Sequence, residues 1–203
     1  MQLPVKFARR AVLAGLPLLA LSLAACTTPP PPRLNLPEIG FAQSGPLTFA
    51  AGSAETVNEF RSSFAPPYIE HLLPQPPARV AERWARDRIR LDNSQNNSVR
   101  VVIKDASVIE QDIAKTPGLR GQFTNDQVSR FEASLAMVVE VRDARGFKLG
   151  EAQASAKRSG TLDEKATLND RDLLIYNLIK DVSTDVDREL ERNIRQYLPL
   201  YAR

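Results

Sequence analysis

The chain has 203 residues, with 27 lysines and arginines against 24 aspartates and glutamates. Three of these cations, Lys6, Arg9 and Arg10, lie in the first 25 residues, which contain no acid, so the rest of the chain carries 24 charges of each sign. The absence of a basic excess removes the main argument for nucleic-acid binding, and we expect no nucleic-acid partner.

The first 25 residues have the three parts of a secretory signal peptide. The three cations precede an apolar run at positions 11–23, and small residues follow it. Gly15 and Pro17 interrupt the run, which is shorter than the roughly 20 residues of a membrane-spanning helix. A cleaved signal peptide at positions 1–25 is therefore favoured over a permanent membrane span.

The apolar run ends in Leu23-Ala24-Ala25-Cys26, which resembles the lipobox of bacterial lipoproteins. The resemblance implies that the signal peptide is removed and that Cys26 is acylated, with palmitate or a similar chain. Cys26 is the only cysteine, so no internal disulfide can form, and lipidation accounts for a lone thiol in an exported protein. Thr27 stands where lipoproteins retained in the inner membrane commonly have aspartate, which favours the outer membrane. The alternative is an ordinary cleaved signal with an incidental cysteine.

Positions 26–46 are predicted to be the lipidated cysteine and a proline-rich tether. Four consecutive prolines, Pro29 to Pro32, favour polyproline II at about 3.1 Å per residue, a reach on the order of 60 Å for the whole tether. Positions 47–203 are then one domain, long enough for a self-sufficient core.

The domain begins with a predicted strand at positions 47–64, and a helix at 78–91 follows a proline-rich stretch. A polar loop at 92–98 leads to a strand at 99–110. The apolar residues of this strand change parity between Ile103 and Ala106, which predicts a β-bulge or a sharp bend near Lys104–Ala106.

A loop at 116–125 precedes the clearest strand, 130–142, and a turn at 143–146 then makes a hairpin. The returning strand carries Ala152, Ala154 and Ala156 on one face, which requires the close approach of another element. The final helix begins at a capping box, Thr167 to Asp170, and supplies that element. The core is expected to include Leu135, Val139, Leu178 and Val182.

The order β-α-β-β-β-α predicts an α+β fold: an antiparallel sheet of about four strands with two helices packed on one face. This order is loosely similar to that of the lipopolysaccharide-assembly lipoprotein and of the auxiliary lipoproteins of lipid-transport systems. The resemblance implies a role in the cell envelope.

The sequence offers few residues for catalysis. The only histidine, His71, lies in a proline-bounded loop, and the only cysteine is assigned to the lipid. The sequence contains no glycine-rich phosphate loop, HExxH or GxSxG motif. We therefore expect no enzyme, no metal and no cofactor.

The first helix has two contrasting faces. Trp84 lies at the centre of the apolar face and is expected in the core, whereas a ligand platform is the alternative. Arg88 lies near that face and must reach water or find a carboxylate. The opposite face carries four arginines that form either a site for lipid phosphates or an acidic partner, or a solvated surface: Arg79, Arg83, Arg86 and Arg90.

The final helix, about 42 Å long for positions 168–195, is expected to outrun a strand of about 33 Å. Its far end would then expose an apolar strip that docks a partner protein. The residues of this strip are Val186, Leu190, Ile194, Tyr197 and Leu198. The alternative is that the first strand or the proline loop covers it.

These features predict a lipid-anchored bacterial cell-envelope protein at the periplasmic face of the outer membrane. The expected role is a non-enzymatic accessory or scaffold that acts through contacts with another envelope protein. The alternative is a module that binds a lipid or other amphiphile between sheet and helices, which an apolar cavity over the alanines would favour. The sequence leaves the oligomeric state open.

Overall fold

The computed structural model describes residues 34–113 and 128–203. The signal segment, Cys26 and the predicted loop at 116–125 lie outside these residues. The elements in chain order are β1 (Leu47–Phe49), β2 (Ser53–Asn58), α1 (Pro77–Arg88), β3 (Ile89–Leu91), β4 (Ser98–Asp105), β5 (Val108–Ile113), β6 (Val128–Arg142), β7 (Lys148–Asp163) and α2 (Leu168–Tyr197).

The hairpin of β6 and β7 is the centre of the fold. The two strands pair antiparallel from Val128 opposite Asp163 to Arg142 opposite Lys148. The alternation predicted for β6 is confirmed, because every second side chain is at most 2% exposed: Phe131, Ala133, Leu135, Met137, Val139 and Val141. Burial on one face is what a side-chain period of two produces when helices cover that face.

Strands β4 and β5 both pair antiparallel with β6, along the same edge. The register shifts between Ile103 and Asp105, so the predicted bulge is confirmed. Ala106 and Val108 are fully buried beyond the shift, like Ile103 before it. The extra residue therefore restores the apolar side chains to the core face.

The prediction of an antiparallel sheet of about four strands is wrong in one respect, because the main sheet has five strands and is mixed. Strand β2 pairs parallel with β4. The helix α1 lies between them in the chain, and a helical crossover returns the chain to the end at which it started, which makes the two strands parallel.

A second, two-stranded sheet is formed by β1 and β3, which also run parallel. Its existence explains why α1 ends at Arg88 and not at position 91. Residues Ile89–Leu91 pair with Leu47–Phe49, so the backbone of this segment is satisfied by strand pairing.

Both helices contribute to one core over the sheet, as predicted. The capping box of α2 is present: the Thr167 hydroxyl accepts from the Asp170 N–H at 3.2 Å, and the Asp170 carboxylate accepts from the Thr167 N–H at 2.9 Å. The hydrogen bond from the Thr167 hydroxyl lowers the pKa of the Asp170 carboxyl. Leu178 and Val182 are buried against the hairpin, as expected.

The packed chain begins earlier than the predicted boundary at position 47. Ile39 and Phe41 are each 6% exposed and belong to the core. The tether predicted to extend to position 46 therefore ends before Ile39. The proline content of the segment did not indicate this earlier boundary. Two apolar side chains are enough to hold a proline-rich segment in place when the helices offer a groove for them.

Two glycines of β7 lie close to side chains at the two ends of α2. A methyl group added at each is expected to lower the stability of the domain by a different amount. A Cβ at Gly150 would lie 2.7 Å from the Leu198 side chain, which is fully buried. A Cβ at Gly160 would lie 2.8 Å from the Leu174 side chain, which is only partly buried and can move. Gly150→Ala is expected to destabilise the domain by about 1–3 kcal/mol through overpacking.

Gly160→Ala is the matched control and should stay within about 1 kcal/mol of the parent, because the lower chain entropy of alanine offsets a small shift of Leu174. Urea denaturation measures both variants. Equal losses at the two positions would contradict the close approach of Leu198 to Gly150.

Candidate functional site

The chain that arrives from the predicted lipid anchor is fastened to the helices by its residues 37–45, a segment that we call the strap. Gln75, just before α1, binds the strap backbone through both the oxygen and the nitrogen of its side-chain amide. The Gln75 side chain accepts from the Ile39 N–H at 3.0 Å and donates to the Pro37 carbonyl at 3.0 Å. A side-chain amide with one donor and one acceptor engaged in this way replaces the partners that a sheet would provide.

Two residues of α1 continue the same attachment. Arg83 donates to the Ile39 carbonyl at 2.8 Å and pairs with Glu38 at 3.0 Å. One turn later, the Asp87 carboxylate accepts from the Phe41 N–H at 2.8 Å. The strap therefore runs alongside α1 in the same direction and begins near the N-terminal end of that helix.

The predicted arginine surface on α1 is divided by this arrangement. Arg83 is committed to the strap, with its side chain only 20% exposed. Arg90 lies in β3 and not on the helix. Arg79 and Arg86 remain exposed on α1. The four arginines therefore do not form one site. The helix ends at Arg88, before Arg90, and Arg83 binds the strap.

A buried charged cluster joins the strap, α1 and α2. Arg88 is 1% exposed and Asp187 of α2 is 5% exposed, and the two pair at 2.8 Å. The same carboxylate accepts from the Trp84 indole N–H at 2.7 Å and from the Ser44 hydroxyl at 3.0 Å. Trp84 is thus a core residue, and Asp187 supplies the carboxylate that the position of Arg88 required.

The outer side of this cluster is completed by Glu191, which also contacts Arg88. Arg88 further donates to the carbonyls of Ser44 and Gly45. The pKa of the Glu191 carboxyl is lowered, first by its hydrogen bond with Arg195 and then by that with Arg88. Each of the three guanidinium nitrogens of Arg88 therefore donates at least one hydrogen bond, which is the condition under which a buried guanidinium is tolerated.

The sequence contains a signal for this cluster in the apolar stripe of α2. Asp187 lies four residues after Ser183 and three before Leu190, both of which are buried. An acid within the apolar stripe of α2, together with an arginine on the apolar side of α1, indicates a pair across the helix interface.

The predicted docking strip at the far end of α2 is wrong, because its apolar residues are core. Four of its five members are at most 1% exposed: Val186, Leu190, Ile194 and Leu198. Only Tyr197, at 59%, is exposed. The expected mismatch of lengths does not arise, since β6 and β7 have 15 and 16 residues, about 50 Å, against about 45 Å for the 30 residues of α2.

The first strand covers this end of α2, as the alternative proposed. Thr48 and Arg203 exchange two backbone hydrogen bonds, and Phe49 forms a bridge with Ala202. Phe49 is fully buried as a result. The last residues of the chain are therefore part of the domain's own packing.

The alanine-lined face of β7 is largely covered by α2. A pocket of about 700 Å³ reaches Ala154 and the α2 residues Glu189 and Asn193, but polar and charged side chains line much of it, so it is not the apolar cavity expected over the alanines. Ala152 and Ala154 are 2% and 6% exposed, and α2 packs directly on them. The small side chains serve close packing of the helix.

An apolar groove of about 190 Å³ lies instead beside the beginning of the described chain, between the strap, the stretch before α1 and the first turns of α2. We call it the entry groove. Its apolar lining comprises Leu34, Leu36, Ile39, Leu73, Pro74, Ile175, Tyr176 and Ile179. Asn35, Gln75 and Asp172 contribute the polar atoms. Its volume is below the roughly 300 Å³ at which pockets for whole small molecules begin.

His71 lies in the short 3-10 helix Glu70–Leu72 and is exposed. Its ring contacts that of Phe64, with the centroids 5.2 Å apart. Within residues 34–113 and 128–203, no group of three or more histidine, cysteine or acidic side chains is placed to hold a metal ion.

No helix in the described part of the chain is long and apolar enough to cross a membrane. No protein-family model matches the chain, and no curated protein matches it. Among solved structures, the chain is similar to a minor lipoprotein from Acinetobacter baumannii, at 15% identity and a TM-score of 0.32. That match covers 73% of this chain and 95% of the other. A TM-score of this size does not establish a shared fold.

Proposed function

We propose that this protein is a lipid-anchored bacterial cell-envelope protein that acts as a non-enzymatic accessory or scaffold through protein contacts in the periplasm, at the outer membrane. The observation that carries the proposal is the lipobox-like Leu23-Ala24-Ala25-Cys26, placed directly after a signal-like apolar run. The removal of positions 1–25 and the lipid on Cys26 belong to the proposal.

The strap supports an anchoring role for the segment that follows Cys26. Ten residues lie between Cys26 and Pro37, and even fully extended the eleven steps from one to the other span at most about 40 Å. From Pro37 onward the backbone is bonded to Gln75 and α1. A lipid on Cys26 would therefore hold the helical layer near the membrane, on a shorter link than the sequence predicted.

The non-enzymatic part of the proposal rests on the residues available. His71 is exposed and contacts an aromatic ring, and Cys26 is assigned to the lipid. The buried carboxylate Asp187 is fully used by Trp84, Arg88 and Ser44. The buried charged pair of Arg88 and Asp187 is therefore engaged in holding the helices and the strap together.

Cys26→Ser is expected to move the protein from the membrane fraction to the soluble periplasmic fraction, because a serine offers no thiol for acylation. Its urea denaturation midpoint should equal that of the parent, since the core described for residues 34–113 and 128–203 is built from other side chains. Thr27→Ser is the matched control and should stay in the membranes.

Two results would contradict the anchor: retention of Cys26→Ser in washed membranes, or a mature N-terminus at a residue other than Cys26. The scaffold role is tested separately by crosslinking in cells, followed by identification of what co-purifies. Recovery of a specific envelope protein supports it, whereas a stoichiometric lipid without protein would favour the amphiphile-binding alternative.

A further inference from the structure

The entry groove is flanked by leucines that project into solvent. Leu34, in its wall, is 43% exposed. Leu72, next to the lining residue Leu73, is 70% exposed. Exposed leucines beside an apolar groove form a local concentration of apolar surface for which the described chain provides no cover.

The position of this surface in the fold gives its orientation. The groove is lined by Pro74 and Gln75, just before α1, and by residues 172–179, in the first turns of α2. Trp84 and Arg88 meet Asp187 further along both helices, so α1 and α2 run side by side in the same direction. The leucines therefore lie at the end of the helical layer where both helices start.

The same end receives the chain from Cys26. Eight residues lead from Cys26 to Leu34, and they can span at most about 29 Å. This is about the thickness of the bilayer's hydrocarbon core. A lipid on Cys26 would thus keep this end of the domain, more than any other, within about 29 Å of the membrane surface.

The chemistry of the groove favours hydrocarbon over charged headgroups. Its polar members are Asn35, Gln75 and the carboxylate of Asp172, and no cation lines it. An anionic headgroup would meet a like charge there, whereas apolar side chains that reach the acyl boundary are stabilised by burial.

We propose that Leu34, Leu72 and the entry groove form a membrane-contact surface, which inserts into the acyl boundary of the bilayer to which the chain is anchored. This inference rests on the proposed lipid anchor. The lipid then does more than confine the protein: the surface fixes its orientation, with the start of the helices at the bilayer and the end of α2 directed away from it.

Leu200 provides a matched control for the test. It is 80% exposed and follows the C-terminal end of α2. The helix advances about 32 Å between Tyr176 in the groove and Tyr197. Leu72→Trp and Leu200→Trp therefore place the same exposed reporter at opposite ends of the helical layer. The native Trp84, 1% exposed, adds the same background to both.

The experiment uses the full lipidated protein in vesicles of phosphatidylcholine, with and without bromine on the acyl chains. Bromine quenches the emission of tryptophan that reaches the acyl region. The emission added by Leu72→Trp should be lost in brominated vesicles, and that added by Leu200→Trp should be unchanged. The loss should persist at high salt, because charge does not drive the contact.

If neither tryptophan is quenched, or if both are quenched equally, the proposed membrane-contact surface is overturned. A protein partner on the groove would also leave the emission of Leu72→Trp unchanged in these vesicles. Flotation of the same samples tests the anchor by itself. A protein that floats without quenching retains the proposed function and loses this inference, whereas one that does not float loses both.

Discussion

Asp187→Ala is expected to destabilise the domain by roughly 3–5 kcal/mol, because it leaves the guanidinium of Arg88 buried without its main partner. Both side chains are nearly inaccessible, at 1% and 7%, so water cannot replace the lost carboxylate. The same change orphans the indole N–H of Trp84, which has no other hydrogen bond in the described chain. Urea denaturation at neutral pH measures the loss.

The paired variant Arg88→Met with Asp187→Leu separates the cost of an orphaned charge from the value of the pair. It removes both charges, so most of the loss should be recovered, apart from about 1–3 kcal/mol for the unpaired indole N–H of Trp84. The carbonyls of Ser44 and Gly45 also lose Arg88, but these residues are exposed and half-buried, so water can replace it. Glu191→Ala, at a carboxylate that is 33% exposed, should cost much less than Asp187→Ala. A loss below about 1 kcal/mol for Asp187→Ala would contradict the buried cluster.

The central hairpin and α2 could be predicted from sequence because each has one buried face and a regular period. Leu135 and Val139 follow the period of a strand, and Leu178 and Val182 follow that of a helix. The bulge was predictable for the same reason, since Ile103 and Ala106 cannot share a face of a regular strand.

The rest of the sheet depends on contacts between distant segments. Strands β1 and β3 have three residues each, too few to show a period. Strand β2 is largely exposed, so it carries no apolar alternation. Its parallel pairing follows from the crossover through α1, which propensity along the chain does not reveal.

Only the arginine of the buried charged pair could be predicted from the sequence. The position of Arg88 on the apolar side of α1 required a carboxylate, and the structure supplies Asp187. Arg83 gave no comparable signal, because an arginine on a polar helix face is equally compatible with solvent and with a backbone carbonyl. Its role depends on the strap, which places the Ile39 carbonyl beside it.

The second large effect is expected at the end of the chain. Truncation after Asn193 removes the fully buried side chains of Ile194 and Leu198. It also removes the backbone partners of Thr48 in β1 and of Ala50 just after β1, and it uncovers Phe49. Deletion of one buried aliphatic side chain costs about 2–5 kcal/mol, and small domains are stable by only about 5–15 kcal/mol in total.

The truncated chain should therefore lose its cooperative unfolding transition, or unfold at a melting temperature far below that of the parent. Tyr197→Ala with Leu200→Ala is the control, because it trims the exposed side chains of the same segment. This variant should stay within about 0.5 kcal/mol of the parent in thermal and urea denaturation. A truncated chain that melts like the parent would show that residues 194–203 contribute nothing to the core. In that case the far end of α2 would again be available as a docking strip.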